Sequence, residues 1–290
     1  MEWPIKKLTA KEFPSVLKEI PQPPKTLYFV GERPDFKTQI LLCVVGSRKF
    51  SGYGREVVEK LIFGMSGYPI TIVSGLALGI DTLAHQAALD VGLKTLALPG
   101  SGLKPNILYP STNRRLAEKI INAGGSLLSE YEPEQPATLY TFPRRNRLMA
   151  GLSKATLIIE AGEKSGTLIT ARLATEYNRD VLAVPGSIFS PNSYGPNWLI
   201  KNGAATVTSA EDVLATLGFE INSKKSPTQD FSDFSPEERI IVELLSIQPL
   251  DKENLIAKSG LKTSQANIVL SMMEIKNLIK ETMGEIHLNF

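Results

Sequence analysis

Six short apolar runs, most of them separated by segments with helical periodicity, constrain the fold of this 290-residue chain most strongly. The runs are ILLCVV (40–45), ITIV (70–73), KTLALP (94–99), SLLSEY (126–131), ATLIIEA (155–161) and DVLAVP (180–185). Continuous apolar strands that alternate with helices are typical of a parallel sheet covered on both faces. We therefore predict a doubly wound α/β domain over residues 36–218, to which LYFVG (27–31) can add a further strand.

The regions on either side do not follow this alternation. Thr9 and Glu12 have the spacing of a capping box, so residues 1–35 are predicted as a short helical leader with a helix from about Ala10 to Ile20. Residues 219–234 are polar and without periodicity, which is typical of a linker. Residues 235–290 form the last predicted domain. Its helical patterns (236–246, 251–259 and 263–276) and the final ETMGEIHLNF outline a winged helix.

Composition excludes several classes of protein. The single cysteine, Cys43, rules out a disulfide framework, and two histidines argue against a two-His metal site, so we expect no metal. No apolar run approaches the roughly 20 residues that span a bilayer. The N-terminal MEWPIKKLTAKEF lacks the apolar core of a secretory signal, so we expect a cytoplasmic protein without a membrane partner. The net charge is only +2, so any basic surface must be local.

Small-residue loops follow most of the predicted strands. They read Gly46-Ser47-Arg48, Ser74-Gly75-Leu76, Pro99-Gly100-Ser101-Gly102, Ala161-Gly162-Glu163 and Pro185-Gly186-Ser187. In an open α/β sheet, ligands bind outside the carboxyl ends of the strands, where free N–H groups at helix starts favour anions. Any one glycine can simply make a tight turn, but five such loops at one edge favour an extended anionic ligand.

The stretch IIEAGEKSGTLITARLA (158–174) resembles a phosphate-binding loop in its order of apolar run, Gly-containing loop and helical pattern, but it lacks the consensus residues of such a loop. A P-loop needs glycine directly before the Lys-Ser pair, and here Glu163 precedes Lys164. The dinucleotide fingerprint GxGxxG is also absent from the first turn, GSRKFSGYG. These departures argue against an ATPase or an NAD enzyme. What remains can still hold one phosphate at a helix start: Lys164, Ser165, Gly166 and Thr167.

A second cationic feature is FPRRNRLMAGLSKA (142–155). Residues 137–159 contain four Arg or Lys and no Asp or Glu. The donors suited to phosphate oxygens are Arg144, Arg145, Asn146 and Arg147. Tyr140 and Phe142 add flat rings nearby. Internal salt bridges are the alternative, but this concentration of charge in a nearly neutral chain favours a polyanion.

One pair of residues raises the question of catalysis. Asp81 and His85 lie four residues apart in SGLALGIDTLAHQAAL (74–89) and could pair on a helix. A hydrolase also needs a nucleophile or an activated water, and the GxSxG elbow is absent around Ser74. We expect Asp81 to order the turn and His85 to pack in the core.

The predicted winged helix is a poor DNA-binding candidate. Residues 235–290 carry six Lys or Arg against eight Asp or Glu, and SQANIVLSMM, which opens the third helix, has no cation. Phosphate contacts dominate DNA affinity, so we favour a protein-facing or regulatory role, with DNA binding as the alternative.

Seven segments between Tyr28 and Gly218 resemble the DNA-processing protein A family (DprA, also called Smf). The segments are VVGSRKFSGYG, SGLALGIDTLAHQAAL, ALPGSGLKPNILYP, LLSEY, FPRRNRLMAGLS, EAGEKSGTLITARLA and AVPGS with a later LIKNGA. The resemblance implies an extended Rossmann-like fold that binds single-stranded DNA without a nucleotide cofactor. It further implies a homodimer that protects incoming DNA and loads the recombinase RecA onto it during natural transformation. Two departures are Leu78, where the family usually has arginine, and a leader shorter than the helical domain of many members.

Together, the motifs and the resemblance define an expected DNA-binding set and no catalytic residue. The set is Gly46, Ser47, Arg48, Gly75, Arg144, Asn146, Arg147, Lys164, Ser165, Gly166 and Thr167. We therefore predict a binding protein rather than an enzyme. The alternative is a nucleotide phosphoribohydrolase-like Rossmann enzyme, but those enzymes place a carboxylate just after the Gly-Thr pair, and residues 168–171 contain none. A protein-binding scaffold is a third hypothesis, which leaves the basic stretch and the rim glycines unexplained.

Overall fold

The computed structural model describes residues 3–220, 234–276, 278–282 and 284–288. The chain divides into two compact units, Met1–Ile221 and Asn222–Phe290. The predicted linker, 219–234, falls mostly in a stretch (221–233) outside the described residues. None of the described helices combines the length and the apolar character needed to cross a bilayer.

In the described part of the first unit, nine strands form one sheet. They are β1 (Lys6–Thr9), β2 (Thr26–Gly31), β3 (Ile40–Val45), β4 (Ile70–Ser74), β5 (Lys94–Ala97), β6 (Ser126–Ser129), β7 (Ala155–Ile158), β8 (Asp180–Ala183) and β9 (Ala205–Thr206). Their order is β1-β2-β6-β5-β4-β3-β7-β8-β9. Pairing is antiparallel between β1, β2 and β6 and parallel from β6 onward. The predicted doubly wound, mostly parallel sheet is confirmed, with β2 as the added strand.

Helices cover both faces of this sheet. They are α1 (Ser15–Lys18), α2 (Gly52–Gly64), α3 (Ile80–Asp90), α4 (Arg114–Asn122), α5 (Thr141–Leu152), α6 (Thr167–Glu176), α7 (Tyr194–Lys201) and α8 (Ala210–Thr216). Because side chains alternate along a strand, β3 contributes to two cores. Leu42 and Val44 join the core formed with α2, α3 and α8. Leu41 and Cys43 join the core formed with α1, α5, α6 and α7.

The strand order places a crevice beside β3. From β3 the chain adds β4, β5 and β6 on one side, and then returns to β7 and adds β8 and β9 on the other side. The loops that leave β3 and β7 therefore diverge at the carboxyl ends of two neighbouring strands. Such a topological switch point is where ligands bind in open α/β sheets.

The leader differs from the sequence prediction. The capping box at Thr9 exists, with the Thr9 N–H donating to Glu12 Oε2 at 2.8 Å, but it opens only a 3₁₀ turn, Ala10–Glu12. The helix predicted from Ala10 to Ile20 is interrupted because Phe13 precedes Pro14 and adopts an extended conformation. Helix α1 begins only at Ser15, and the rest of the leader supplies β1 and β2 to the sheet.

The second unit has the predicted winged-helix elements. Its helices are α9 (Pro236–Ile247), α10 (Lys252–Ser259) and α11 (Thr263–Ile275), and its strands are β10 (Leu250–Asp251), β11 (Ile279–Thr282) and β12 (Glu285–Leu288). The strands pair in the order β10-β12-β11. Ser235 caps α9 through a capping box with Glu238, whose carboxylate also pairs with Lys276 at 2.7 Å. The second unit has its own apolar core, in which Leu255 and Met273 are fully buried.

Candidate nucleic-acid interface

A cavity of about 870 Å³ lies at the switch point of the sheet. Its walls come from the loop after β3, the loop after β7 and the first half of α5. The structure thus brings together eight of the residues expected from sequence to bind DNA. They are Gly46, Ser47, Arg48, Asn146, Lys164, Ser165, Gly166 and Thr167.

The cavity lining is strongly cationic. Four basic side chains line it, and Asp81 supplies the one carboxylate of the lining. The basic residues are Arg48, Lys49, Arg145 and Lys164. A concave surface with this excess of positive charge favours an anionic ligand.

The loop after β3 is held by its own hydrogen bonds. The Ser47 hydroxyl donates to the Lys49 carbonyl at 2.9 Å and accepts the Lys49 N–H at 3.0 Å. The Ile80 N–H, at the start of α3, donates to the Ser47 carbonyl at 3.1 Å. Ser47 therefore shapes the turn, and the Arg48 side chain is the group that the turn presents.

Glu160 connects the two loops, and sequence reasoning missed it. This buried carboxylate follows β7 and accepts hydrogen bonds from the Ser51 backbone N–H, at 2.9 Å, and from the Ser51 hydroxyl. Ser51 is the N-cap of α2, which begins just after the Arg48 loop. Asn192 Nδ2 donates to the Lys49 carbonyl at 2.9 Å. The available signal was an acidic residue directly after an apolar strand, where burial requires a partner.

The start of α6 leaves space for a ligand at Gly166, although the Leu168 and Ile169 N–H groups already donate to the Ser165 and Gly166 carbonyls. The Thr167 N–H donates to the Ser165 hydroxyl at 3.2 Å, which closes the turn before the helix. Gly166 is the N-cap, and a Cβ placed on it would meet no described atom within 4 Å. The positive end of the α6 dipole and the Lys164 ammonium can therefore act on the same anion.

Arg145 was not in the expected DNA-binding set, but its side chain is part of the cavity lining. This buried guanidinium donates through Nη1 to the carbonyls of Gly75 and Leu98, and through Nε to Asn146 Oδ1 at 3.2 Å. Desolvation lowers the pKa of Arg145, and the nearby Asp81 carboxylate opposes this shift. Desolvation likewise raises the pKa of Asp81, opposed by Arg145. Arg145 thus holds the loop after β4 through the Gly75 carbonyl and also adds positive charge to the cavity lining.

Three expected residues lie outside this lining: Gly75, Arg144 and Arg147. Gly75 is buried, and a Cβ on it would lie 2.5 Å from Arg145 Nη1. Arg147 forms a buried ion pair with Glu130, and the exposed Arg144 lies 3.6 Å from the same carboxylate. Burial raises the pKa of Glu130, an effect that the two arginines oppose. Direct DNA contact by these three residues remains a prediction.

The possible catalytic pair of α3 is used structurally. Asp81 Oδ2 accepts the N–H groups of Gly75, at 3.0 Å, and Ala77, at 3.4 Å, and so orders the turn before the helix. His85 is fully buried, and its Nδ1 lies 2.6 Å from Thr95 Oγ1. Both sequence expectations for these residues are confirmed.

Comparison with known families agrees with this architecture. The model of the family described as DNA recombination-mediator protein A matches residues 5–218, and that of the DprA winged helix domain matches residues 224–285. The chain belongs to the DNA recombination-mediator protein A family. The resemblance drawn from the sequence motifs is thereby confirmed.

Two curated relatives of this family match closely in sequence. Protein Smf of Escherichia coli is 44% identical over 199 residues, which cover 68% of this chain and 52% of that protein. DNA processing protein DprA of Streptococcus pneumoniae is 45% identical over 207 residues, which cover 71% of this chain and 72% of that protein. This chain therefore spans about half the length of the Escherichia coli relative.

Solved structures of family members share the fold. DNA processing protein A of Streptococcus pneumoniae superposes with a TM-score of 0.68 at 41% identity, covering 75% of each chain. DNA processing protein A of Helicobacter pylori gives a TM-score of 0.67 at 30% identity, covering 75% of this chain and 98% of the other. The latter structure concerns the single-stranded DNA binding mode of that protein. These relatives do not favour the phosphoribohydrolase alternative.

Proposed function

We propose that this chain binds single-stranded DNA through its phosphates at the switch-point cavity and acts as a recombination mediator. The observation that carries the proposal is that four basic side chains and the N-terminal end of α6 line one cavity of about 870 Å³. The single-stranded DNA binding of the Helicobacter pylori relative supports it.

The arrangement suits a chain of phosphates better than one nucleotide. Arg48 and Lys164 stand on separate loops, and the exposed Arg144, which lies 3.6 Å from the Glu130 carboxylate, adds a cation on α5 outside the cavity lining. Several cations on separate elements match successive phosphates, and contacts of this kind bind without regard to base sequence. Gly166 leaves room for the backbone of the strand to approach the start of α6.

Family membership supports a proposal about the wider role of the protein. We propose that the protein acts as a homodimer in the cytoplasm, protects incoming single strands and loads RecA onto them during natural transformation. A RecA assay tests this role directly. Addition of the protein should speed assembly of RecA filaments on a single strand, and unchanged assembly would contradict the loading function.

The binding site is tested by fluorescence anisotropy with labelled oligo-dT at several salt concentrations. Arg48→Ala and Lys164→Ala should each weaken binding and reduce the slope of log affinity against log salt by about 0.7 per lost phosphate contact. Lys119→Ala is the matched control, since Lys119 is an exposed lysine near the far end of α4. Native circular dichroism with unchanged affinity in both site variants would overturn the site assignment.

A second assay separates binding from catalysis. The protein is incubated with nucleoside monophosphates, and the products are examined for free base. We expect no release, because the Gly166-Thr167 pair is followed by Leu168-Ile169-Thr170-Ala171, which offers no carboxylate. Steady turnover would instead favour the phosphoribohydrolase alternative.

A further inference from the structure

Tyr109 projects from a loop whose neighbouring residues are buried. Leu108 and Pro110 are buried on either side of it, whereas Tyr109 is 50% exposed. The loop is anchored by Asn113, whose Nδ2 donates to the Leu76 carbonyl at 2.8 Å and to the Thr82 hydroxyl at 2.9 Å. The buried neighbours and the Asn113 hydrogen bonds anchor the loop on the protein, and the Tyr109 ring lies on its exposed side.

The Tyr109 ring rests against the wall of the cationic cavity. Its centroid lies 5.6 Å from that of Phe142, with the two ring planes at 53°. Phe142 lines the cavity, and the guanidinium of Arg48 lies 5.6 Å from its ring centroid. The Arg48 guanidinium, the Phe142 ring and the Tyr109 ring therefore contact one another in that order.

Phe142 is itself fixed in place. A Cβ on Gly100 would lie 2.6 Å from Phe142 Cδ1, so the absence of a side chain at Gly100 lets the ring pack directly on the loop after β5. Tyr109 and Phe142 therefore form a preorganised aromatic surface at the edge of a phosphate-binding cavity. Flat π-faces beside cations are the elements with which proteins bind single strands, since every nucleobase can stack on them.

We propose that the exposed face of Tyr109, supported by Phe142, is a stacking site for a nucleobase of the bound single strand. The adjacent Arg48 holds a phosphate of the same stretch of strand. This inference rests on the proposed function and adds to it a base-contacting subsite and a direction. The strand leaves the cavity across the start of α5 toward the loop that carries Tyr109.

The test compares two ligands of equal charge, oligo-dT and an oligomer of the same length made of abasic deoxyribose phosphates. Tyr109→Ala should lower the affinity for oligo-dT by about tenfold and leave the affinity for the abasic oligomer unchanged. Tyr109→Phe should keep full affinity, because stacking does not need the hydroxyl. Phe63→Ala removes another exposed ring, near the end of α2 away from the rim, and should change neither affinity.

The outcomes separate this proposal from the one on which it rests. Loss of affinity for both oligomers in Tyr109→Ala, or for neither, would overturn the stacking site while the phosphate-binding cavity stands. Failure of the unaltered chain to bind either oligomer would overturn both proposals. Melting temperatures of all variants, expected to stay near that of the unaltered chain, show that each one is folded.

Discussion

A Cβ atom placed on Gly79 would lie 2.3 Å from the carbonyl oxygen of Ser47. The loop before α3 therefore packs directly on the loop that carries Arg48, and no side chain fits between them. Gly79 also has a φ of +87°, which L-residues with a side chain rarely adopt. The position of the Arg48 guanidinium at the cavity thus depends on a glycine from a different strand–helix connection.

We predict that Gly79→Ala weakens oligo-dT binding as well as lowering stability. The added methyl group must displace the Ser47–Arg48 turn, in addition to the backbone strain of about 1–3 kcal/mol expected in this sparsely populated region of positive φ. Gly67→Ala isolates the second effect, because Gly67 has a φ of +80° but open space around its Cβ position. Thermal unfolding and anisotropy are measured on both variants. If Gly79→Ala and Gly67→Ala bind oligo-dT with equal affinity, the position of the Arg48 loop does not depend on Gly79.

We predict that Arg147→Met lowers the free energy of unfolding by about 3–5 kcal/mol, since it removes the buried partner of the Glu130 carboxylate and leaves only the exposed Arg144 at 3.6 Å. A double variant, Arg147→Met with Glu130→Met, should recover most of this loss because it removes both charges. Arg144→Ala, which affects an exposed partner of the same carboxylate, should cost less than about 1 kcal/mol. Denaturant unfolding measures all three changes.

The same double variant tests the role of Arg147 at the interface. If Arg147 acts by holding α5 in place, the folded double variant binds oligo-dT like the unaltered chain. Weaker binding by this variant with restored stability would show that Arg147 contacts DNA.

We predict a loss of stability as the pH falls from about 6.5 to about 3, caused in part by His85. Burial, the largest cause, and the positive charge of Arg145 lower the pKa of His85 from 6.5 to about 3 in the folded chain. Below pH 6.5 the unfolded chain therefore takes up a proton that the folded chain excludes, while above pH 6.5 the contribution is constant. The difference in melting temperature between the unaltered chain and His85→Gln should change over this range. A difference in melting temperature that stays constant from pH 6.5 to about 3 would contradict the lowered pKa of His85.

The state of His85 can also be measured directly. Thr95 Oγ1 donates its proton to the Ile72 carbonyl at 2.9 Å, so His85 Nδ1 must be the donor in its contact with Thr95. Nitrogen NMR should show the neutral Nδ1–H form of the ring from pH 6.5 down to about 4, because burial lowers the pKa of His85 to about 3 in the folded chain.

We predict that the exposed face of α11 does not contribute to oligo-dT binding. Ile268 and Met272 are exposed on this helix, and the first ten residues after Thr263 contain no cation. Ile268→Glu combined with Met272→Glu should therefore leave oligo-dT affinity unchanged. Leu270→Ala, at a buried position of the same helix, should instead cost about 2–5 kcal/mol of stability. Weaker oligo-dT binding by the double variant would indicate that α11 contacts the DNA.

The fold of the first unit was predictable because each apolar run is long enough and apolar enough to be buried on both faces. Parallel pairing then places the carboxyl ends of β3 and β7 side by side, and with them the loops that carry Arg48 and Lys164. The leader was predicted less well, because Pro14 interrupts the helix that the capping box at Thr9 predicts.

The sequence by itself determined the strands and the loops at their carboxyl ends, and it predicted an anionic ligand. Only the tertiary structure decided which of the clustered arginines of α5 serves which purpose. Because successive helical residues are turned by 100°, Arg144 and Arg147 share the face that meets Glu130, whereas Arg145 lies with Phe142 on the face that lines the cavity. Tyr109 and Phe142 are likewise far apart in the chain, and their contact exists only in the folded structure, where Phe142 of α5 packs on Gly100. Spacing along a sequence fixes which residues share a face, but packing against other elements fixes what that face meets.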